Sequence, residues 1–207
     1  GYAATLPRPP RAVLVVTAHW EEGEVTVSTG ASAPLLFDYS GFPPEAYAYR
    51  YAAPGAPRVA AEVLGALRQA GIVARADSSR GWDHGVFVPM MLMFPKADVP
   101  IVQMSLRRDQ DAKHHIAIGV ALQALRRRGV LIVGSGVSFH NFAYFFARDP
   151  ATKSEGEDHS RRFDAWLRQA MLDDGLAPDA RLRALEGWES APSARESHPR
   201  GAAEHLL

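Results

Sequence analysis

A continuous apolar and β-branched run near the start of the chain limits its fold more than any other feature. The run is Arg11-Ala-Val-Leu-Val-Val-Thr-Ala18, which has the length of a β-strand. It follows Pro7-Arg-Pro-Pro10, a combination that interrupts regular structure. Uninterrupted apolar runs are typical of strands buried on both faces of a parallel sheet, whereas half-exposed strands alternate apolar and polar residues. The segment therefore predicts an interior strand of a sheet covered on both faces.

The rest of the chain alternates between strand and helix patterns. Strands are predicted over residues 24–30, 72–76, 99–106 and 130–134. Helices are predicted over residues 57–70, 84–94, 111–128, 157–172 and 179–185. This alternation predicts an α/β fold, arranged as a single-domain three-layer α/β/α structure with a largely parallel or mixed central sheet. The chain of 207 residues is long enough for one such domain, which we assign to residues 1–207.

The two ends of the chain have the character of interior segments. The sequence opens at Gly1 without an initiator Met, and residues 204–207 have the pattern of a helix that continues. We therefore expect the natural protein to extend beyond both ends.

The composition argues against several classes of function. Twenty-three basic side chains balance 23 acidic ones, so no excess charge favours nucleic acid or an anionic membrane as a partner. No apolar run in the sequence approaches the roughly 20 residues of a membrane span. The chain contains no cysteine, so a metal would need His, Asp or Glu as ligands. From this composition we expect a cytoplasmic protein.

Four histidines occupy positions where α/β proteins place functional groups. His19 follows the first strand, and His140 follows the strand predicted over residues 130–134. Ligands bind beyond the carboxyl ends of parallel strands, so these two histidines are candidates for one site. His84 opens a predicted helix, and His205 lies near the end of the chain. Imidazole serves both as a metal ligand and as an acid or base near neutral pH.

Each of these histidines also has a structural interpretation. A histidine after a strand is often a hydrogen-bonded structural residue, while His84 could cap its helix and His205 could lie on the surface. His198, in Ser197-His-Pro-Arg200, is assigned to neither group. Three other histidines lie in polar helical segments and are interpreted as solvated: His114, His115 and His159.

Motifs spread along the chain are similar to those of one enzyme family. Pro7-Arg-Pro9 through Thr17-Ala-His19-Trp20 resembles a PRP…SAHW strand, with Thr17 where Ser is usual. The other matching segments are, in chain order, Phe37-Asp-Tyr-Ser-Gly-Phe-Pro43, Tyr51-Ala-Ala-Pro-Gly55, Gly81-Trp-Asp-His-Gly85, Val99-Pro-Ile-Val-Gln-Met-Ser105, Gly134-Ser-Gly136…His140-Asn141 and Glu204-His205-Leu206. Together they resemble the class III extradiol ring-cleavage dioxygenases of the DOPA 4,5-dioxygenase type, in the LigB superfamily.

The resemblance implies a non-haem metal site and a role for each of the four histidines. The implied metal ligands are His19 and His205, and a third ligand would lie upstream of the first residue. His140 would be the catalytic acid or base beside the substrate, and His84 would contact substrate or dioxygen. The spacing around His198 is longer than is usual in the family, so His198 stays the alternative to His205. The implied cofactor is Fe(II), with Zn(II) possible in the isolated protein.

The implied substrates are a catechol-type aromatic compound and O2, whose two atoms would both enter the opened ring. Residues 31–57 hold five prolines and several aromatic residues. This composition is typical of an ordered surface loop, and such loops are often functional. Within the loop, Tyr39, Phe42 and Tyr51 could bind the substrate as an aromatic wall, or they could equally be packing residues.

Two other functions stay open. One is a zinc-dependent hydrolase on a related scaffold, which would use a metal-bound hydroxide. The other is a non-catalytic binding protein of the Memo type.

Overall fold

A computed structural model describes residues 5–207, so Gly1, where the predicted domain begins, lies outside the described residues. The chain forms two compact units. The first, called the sheet unit, comprises the chain up to Asp109 together with Ala117–Ser135. The second, called the helical unit, comprises Gln110–Ile116 together with Gly136–Leu207.

Five strands of the described chain form the sheet. They are β1 (Ala12–Glu22), β2 (Val25–Ser28), β3 (Ala74–Asp77), β4 (Ile101–Arg107) and β5 (Val130–Ser135). Their order across the sheet is β3-β2-β4-β1-β5. β1 runs parallel to β4 and β5, while β2 runs parallel to β3 and antiparallel to β4. The sheet is therefore mixed, and β1 lies between two parallel neighbours, as its apolar run predicts.

Both faces of β1 are buried, which explains its uninterrupted apolar sequence. Successive side chains of a strand point to opposite faces, and here Leu14 packs into one apolar core while Val15 packs into a second. The helices around the sheet are α1 (Pro57–Gln69), α2 (His84–Met93), α3 (Ala112–Leu122) and α4 (Ala124–Arg127). The first core takes residues from α1, α4 and the end of α3, and the second takes residues from α2. Helices on both faces give the three-layer α/β/α arrangement and confirm the predicted fold class.

The helices differ from the predicted ones at three places. The helix predicted over residues 111–128 is divided into α3 and α4 at Gln123. The helix predicted over residues 157–172 begins earlier, at Pro150, because the Asp149 carboxylate accepts a hydrogen bond from the Thr152 backbone and proline suits a first turn. Residues 204–206 form a turn, so the prediction of a continuing helix at this end is wrong.

The helical unit packs its helices around a small aromatic core. Its helices are α5 (Phe142–Phe145), α6 (Pro150–Leu172), α7 (Pro178–Glu186) and α8 (Ala194–Ser197). Phe163 and Trp188 are buried at its centre, and both rings meet the buried ring of His198 edge-on, at centroid distances of 5.4 and 6.0 Å. Within residues 5–207, no helix combines the length and apolar character that crossing a membrane requires.

Candidate functional site

His19 lies on β1 at a point where the strand becomes irregular. Regular pairing of β1 with β5 ends at Thr17, and pairing with β4 shifts register between Val16 and Glu21. Such irregularities redirect side chains and are frequent beside active sites. The strand continues to Glu22 rather than ending before His19 as predicted, but the histidine does lie beyond its regular part.

His84 is the first residue of α2, and Asp38 holds it in place. Oδ1 of Asp38 accepts a hydrogen bond from the His84 backbone N–H at 3.0 Å and lies 2.8 Å from Nδ1 of the same residue. The other carboxylate oxygen lies 3.7 Å from Nδ1 of His19. The two imidazole rings have centroids 3.9 Å apart and are tilted by 45°. We call His19, Asp38 and His84 the first histidine cluster.

The carboxyl group of Asp38 is partly buried, with its side chain 19% exposed. Burial raises the pKa of this group, but hydrogen bonds from the backbone and ring of His84 outweigh burial and hold the pKa below its ordinary value. Asp38 is therefore a carboxylate near neutral pH and can orient the His84 ring. It is missing from the predicted site residues, although it belongs to the Phe37–Pro43 motif, because an acidic residue in a loop follows no periodic pattern.

The close approach of α2 to β1 depends on Gly85. A Cβ at this position would lie 2.5 Å from Thr17 Oγ1 and 2.8 Å from a ring carbon of His19. Any side chain at position 85 would therefore displace Thr17 or His19. The last glycine of the Gly81–Gly85 motif thus has a steric role in the first cluster.

His140 and His205 come together in the helical unit beside Glu204. Their rings stack, with centroids 3.7 Å apart and planes inclined by 27°. Oε1 of Glu204 lies 3.3 Å from Nδ1 of His140, and the two side chains are 18% and 19% exposed. The His140 backbone N–H donates a hydrogen bond to the Ser197 carbonyl at 2.9 Å. We call His140, Glu204 and His205 the second histidine cluster; Glu204 had no predicted role of its own.

Two other histidines are held in structural positions. His198 is fully buried, and its Nε2 lies 3.0 Å from the Ser138 carbonyl oxygen. Burial lowers the pKa of His198, so its imidazole is neutral near pH 7. His159, interpreted from the sequence as solvated, has a side chain only 17% exposed, and its Nδ1 lies 2.9 Å from Ser193 Oγ. The structure thus places His205 with His140, and His198 in the interior.

The three aromatic residues proposed to contact substrate have different environments. The Tyr39 ring lies edge-on to His84 and to Phe42, at centroid distances of 5.4 and 5.3 Å, and Phe42 is 60% exposed. Tyr51 is buried, and its hydroxyl donates to the Phe94 carbonyl at 2.9 Å. Burial raises the pKa of Tyr51 to about 12. These are the contacts of a packing residue, one of the two interpretations that the sequence leaves open for Tyr51.

Each histidine cluster offers three side chains that can bind a metal. Within each cluster, one ligand atom from every side chain lies within 4.8 Å of the others. All donors are imidazole nitrogens or carboxylate oxygens, a set that suits Fe(II) and Zn(II). The residues therefore fit a divalent metal. The proposed ligands His19 and His205 lie in different clusters, each beside one of the two proposed catalytic histidines.

The fold and these clusters define an α/β chain equipped for metal chemistry, and comparison with known proteins identifies its family. Residues 3–205 match the family described as the catalytic LigB subunit of aromatic ring-opening dioxygenase. The chain belongs to this family, which confirms the resemblance seen in its motifs.

Curated relatives agree with this assignment, and a crystal structure shares the fold. The chain is 43% identical over 204 residues to the dioxygenase tasH of Hapsidospora irregularis, covering 97% of this chain and 62% of that protein. It is 37% identical over 164 residues to a 4,5-DOPA dioxygenase extradiol of Beta vulgaris, covering 78% and 59% of the two chains. An uncharacterized protein from Escherichia coli K12 superimposes with a TM-score of 0.73 at 28% identity, covering 98% of this chain and 74% of that chain. The chain thus spans about three fifths of the length of these two curated relatives.

Proposed function

We propose that this chain forms the core of an extradiol dioxygenase, which inserts both atoms of O2 into a catechol-type ring and opens it at a non-haem metal centre. The observation that carries the proposal is the second histidine cluster, where His140 stacks on His205 beside Glu204 in a chain of the LigB family. The names of relatives from Beta vulgaris and Portulaca grandiflora, each a 4,5-DOPA dioxygenase extradiol, support this reaction class.

His19 and His205 are the proposed metal ligands. Both present imidazole nitrogens, and each stands in a cluster with donors suited to a divalent metal. Bound Fe(II) would activate dioxygen and lower the pKa of a coordinated catechol hydroxyl. Zn(II) is proposed to occupy the same ligands in protein isolated without iron, because it binds such sites more tightly.

His140 is the proposed acid and base. An imidazole can accept a proton from a catechol hydroxyl and return it to the opened ring. Glu204 lies 3.3 Å from Nδ1 of His140, so its carboxylate orients the ring and favours a proton on that nitrogen. Nε2 is then the atom that exchanges a proton with the substrate.

His84 is the proposed second catalytic residue, and aromatic side chains beside it are proposed to contact the substrate. Asp38 binds Nδ1 of His84, so Nε2 is available to contact substrate or dioxygen. Tyr39 lies edge-on to His84 and next to the exposed Phe42, an arrangement that suits contact with an aromatic ring. Substrate contact by Tyr51 and a cytoplasmic location stay predictions.

Oxygen uptake by the full-length protein tests the proposal. Protein loaded anaerobically with Fe(II) and given a panel of catechols that includes DOPA should consume O2 in proportion to substrate. A ring-opened product that absorbs visible light should accumulate. Loss of general acid–base catalysis in His140→Ala should slow the reaction about 10²–10⁴-fold. His114→Ala, at an exposed histidine of α3, is the control and should keep the wild-type rate.

Absence of uptake with every catechol, in protein shown to hold iron, would overturn the proposal. Ester or amide hydrolysis by the zinc-loaded protein would then identify a hydrolase. Failure to bind any metal would favour a non-catalytic binding protein.

A further inference from the structure

The buried carboxylate of Asp83 connects three parts of the sheet unit. Its Oδ1 accepts a hydrogen bond from the Thr17 hydroxyl on β1 at 2.8 Å. Its Oδ2 accepts hydrogen bonds from the Gln103 side-chain amide on β4 at 2.8 Å and from the Arg80 guanidinium at 3.1 Å. Asp83, Thr17 and Gln103 are all 0% exposed. A carboxylate is costly to bury unless donors of this kind satisfy it, so each of these bonds matters to the fold.

The partners of Asp83 also bind both backbone polar groups of His19. The Thr17 hydroxyl oxygen accepts a hydrogen bond from the His19 N–H at 3.2 Å. The Arg80 guanidinium donates to the His19 carbonyl oxygen at 3.2 Å. The His19 N–H is therefore linked to Oδ1 of Asp83 through the Thr17 hydroxyl. The His19 carbonyl oxygen is linked to Oδ2 of Asp83 through the Arg80 guanidinium.

The main chain of Asp83 begins α2, the helix whose first residue is His84. Its carbonyl oxygen accepts hydrogen bonds from the backbone N–H groups of Val86 and Phe87, both at 2.9 Å. The side chain of Asp83 thus holds the backbone at His19, and its main chain holds the turn that carries His84.

We propose that Asp83 is a positioning residue, which fixes His19 and His84 relative to each other for metal binding. The inference rests on the proposed function, because it takes His19 to be a metal ligand. The hydrogen bonds of this network fix both backbone polar groups of His19, the proposed ligand, and so set where its imidazole can lie. Partners behind a metal ligand orient it, and their loss typically lowers metal affinity about 10- to 100-fold.

The test compares two substitutions of Thr17 in the full-length protein. Thr17→Val keeps the size and branching of the side chain but removes the hydroxyl that joins His19 to Asp83. Thr17→Ser keeps that hydroxyl.

Co(II) is the probe, because its visible absorption reports the number and geometry of its ligands without any turnover. We expect Thr17→Val to bind Co(II) about 10- to 100-fold more weakly and with an altered spectrum. We expect Thr17→Ser to match the wild type in both.

Two further variants separate positioning from general stability. Asp83→Asn is expected to weaken Co(II) binding as Thr17→Val does. An amide has one acceptor oxygen where the carboxylate has two, so either Thr17 or the pair Gln103 and Arg80 loses its acceptor. Ser105→Ala is the matched control. It removes another buried hydroxyl of the same sheet, which accepts a hydrogen bond from the Thr26 backbone at 2.9 Å. It should leave the Co(II) affinity and spectrum unchanged.

Weaker and altered Co(II) binding in Thr17→Val, but not in Thr17→Ser or Ser105→Ala, would support the inference, even if Asp83→Asn did not fold. Wild-type Co(II) binding by Thr17→Val, with only the free energy of unfolding reduced, would show that the network is structural. That result would overturn the inference and leave the proposed function intact. A wild-type protein that bound no Co(II) would overturn both.

Discussion

Gly136 lies directly against the peptide of His205. A Cβ at position 136 would overlap the carbonyl oxygen of His205 and would lie 3.0 Å from its carbonyl carbon. The second glycine of the Gly134-Ser-Gly136 motif therefore allows the C-terminal turn to approach, and this turn carries both Glu204 and His205 into the second histidine cluster.

Gly136→Ala should displace the backbone of His205. Because backbone rather than a flexible side chain occupies the space, we expect a loss of about 1–3 kcal/mol in the free energy of unfolding. Urea denaturation measures this loss. Gly134→Ala is the matched control two residues away, since a Cβ there would meet nothing within 4 Å. Equal stability of the two variants would contradict the steric role of Gly136.

Asp38→Asn should impair the first histidine cluster. The asparagine has a similar shape but no charge, so its oxygen accepts the hydrogen bonds from the His84 ring and backbone more weakly than the carboxylate does. We expect kcat/KM for a catechol to fall about 10- to 100-fold, as measured by O2 uptake. Asp179→Asn, at an exposed position in the first turn of α7, should keep the wild-type value. An unchanged rate in Asp38→Asn would show that Asp38 does not support catalysis.

Tyr51→Phe should destabilise the sheet unit. The substitution keeps the ring in the core but leaves the Phe94 carbonyl oxygen without the hydroxyl that donates to it. We expect the free energy of unfolding to fall by about 1–2 kcal/mol. Chemical denaturation, with Tyr49→Phe as control at a 44% exposed position, gives the comparison. If the two variants were equally stable, the buried hydroxyl of Tyr51 would contribute nothing.

His198 should make the stability of the protein depend on pH. Burial holds the pKa of His198 below the ordinary value of 6.5. The neighbouring His140 and the charge of Arg195 lower this pKa further. The Ser138 carbonyl and Glu204 raise it but do not outweigh burial. As the pH falls, His198 therefore binds a proton more readily in the unfolded chain than in the folded chain. The contribution of neutral His198 is therefore complete above pH 6.5 and is lost as the pH falls from there through the folded-state pKa.

His198→Gln tests this dependence, because glutamine can still donate to the Ser138 carbonyl but does not titrate. Free energies of unfolding measured between about pH 5 and 7.5 should fall less steeply with decreasing pH in the variant than in the wild type. Parallel curves would show that His198 does not resist protonation.

The layered α/β fold could be predicted because its signals are local. The apolar run of β1 indicates burial on both faces, and the periodic pattern of α1 ends at Gly71, which has a left-handed backbone with φ of +72°. The break at Gln123 and the early start of α6 at Pro150 were missed, since both depend on caps and packing rather than on periodicity.

The family and its four histidines could also be predicted from the motifs, because a motif is defined by residue types and their order along the chain. The hydrogen-bond partners of those histidines could be identified only from the folded chain. Asp38 and His84 are 46 residues apart, and Thr17 and Asp83 are 66 residues apart, yet each pair is joined by a hydrogen bond. Periodicity relates residues only within a few positions, so contacts at such separations depend on the path of the whole chain. Burial acts in the same way, and it placed His198 and Tyr51 in the interior while leaving His84 and Phe42 accessible.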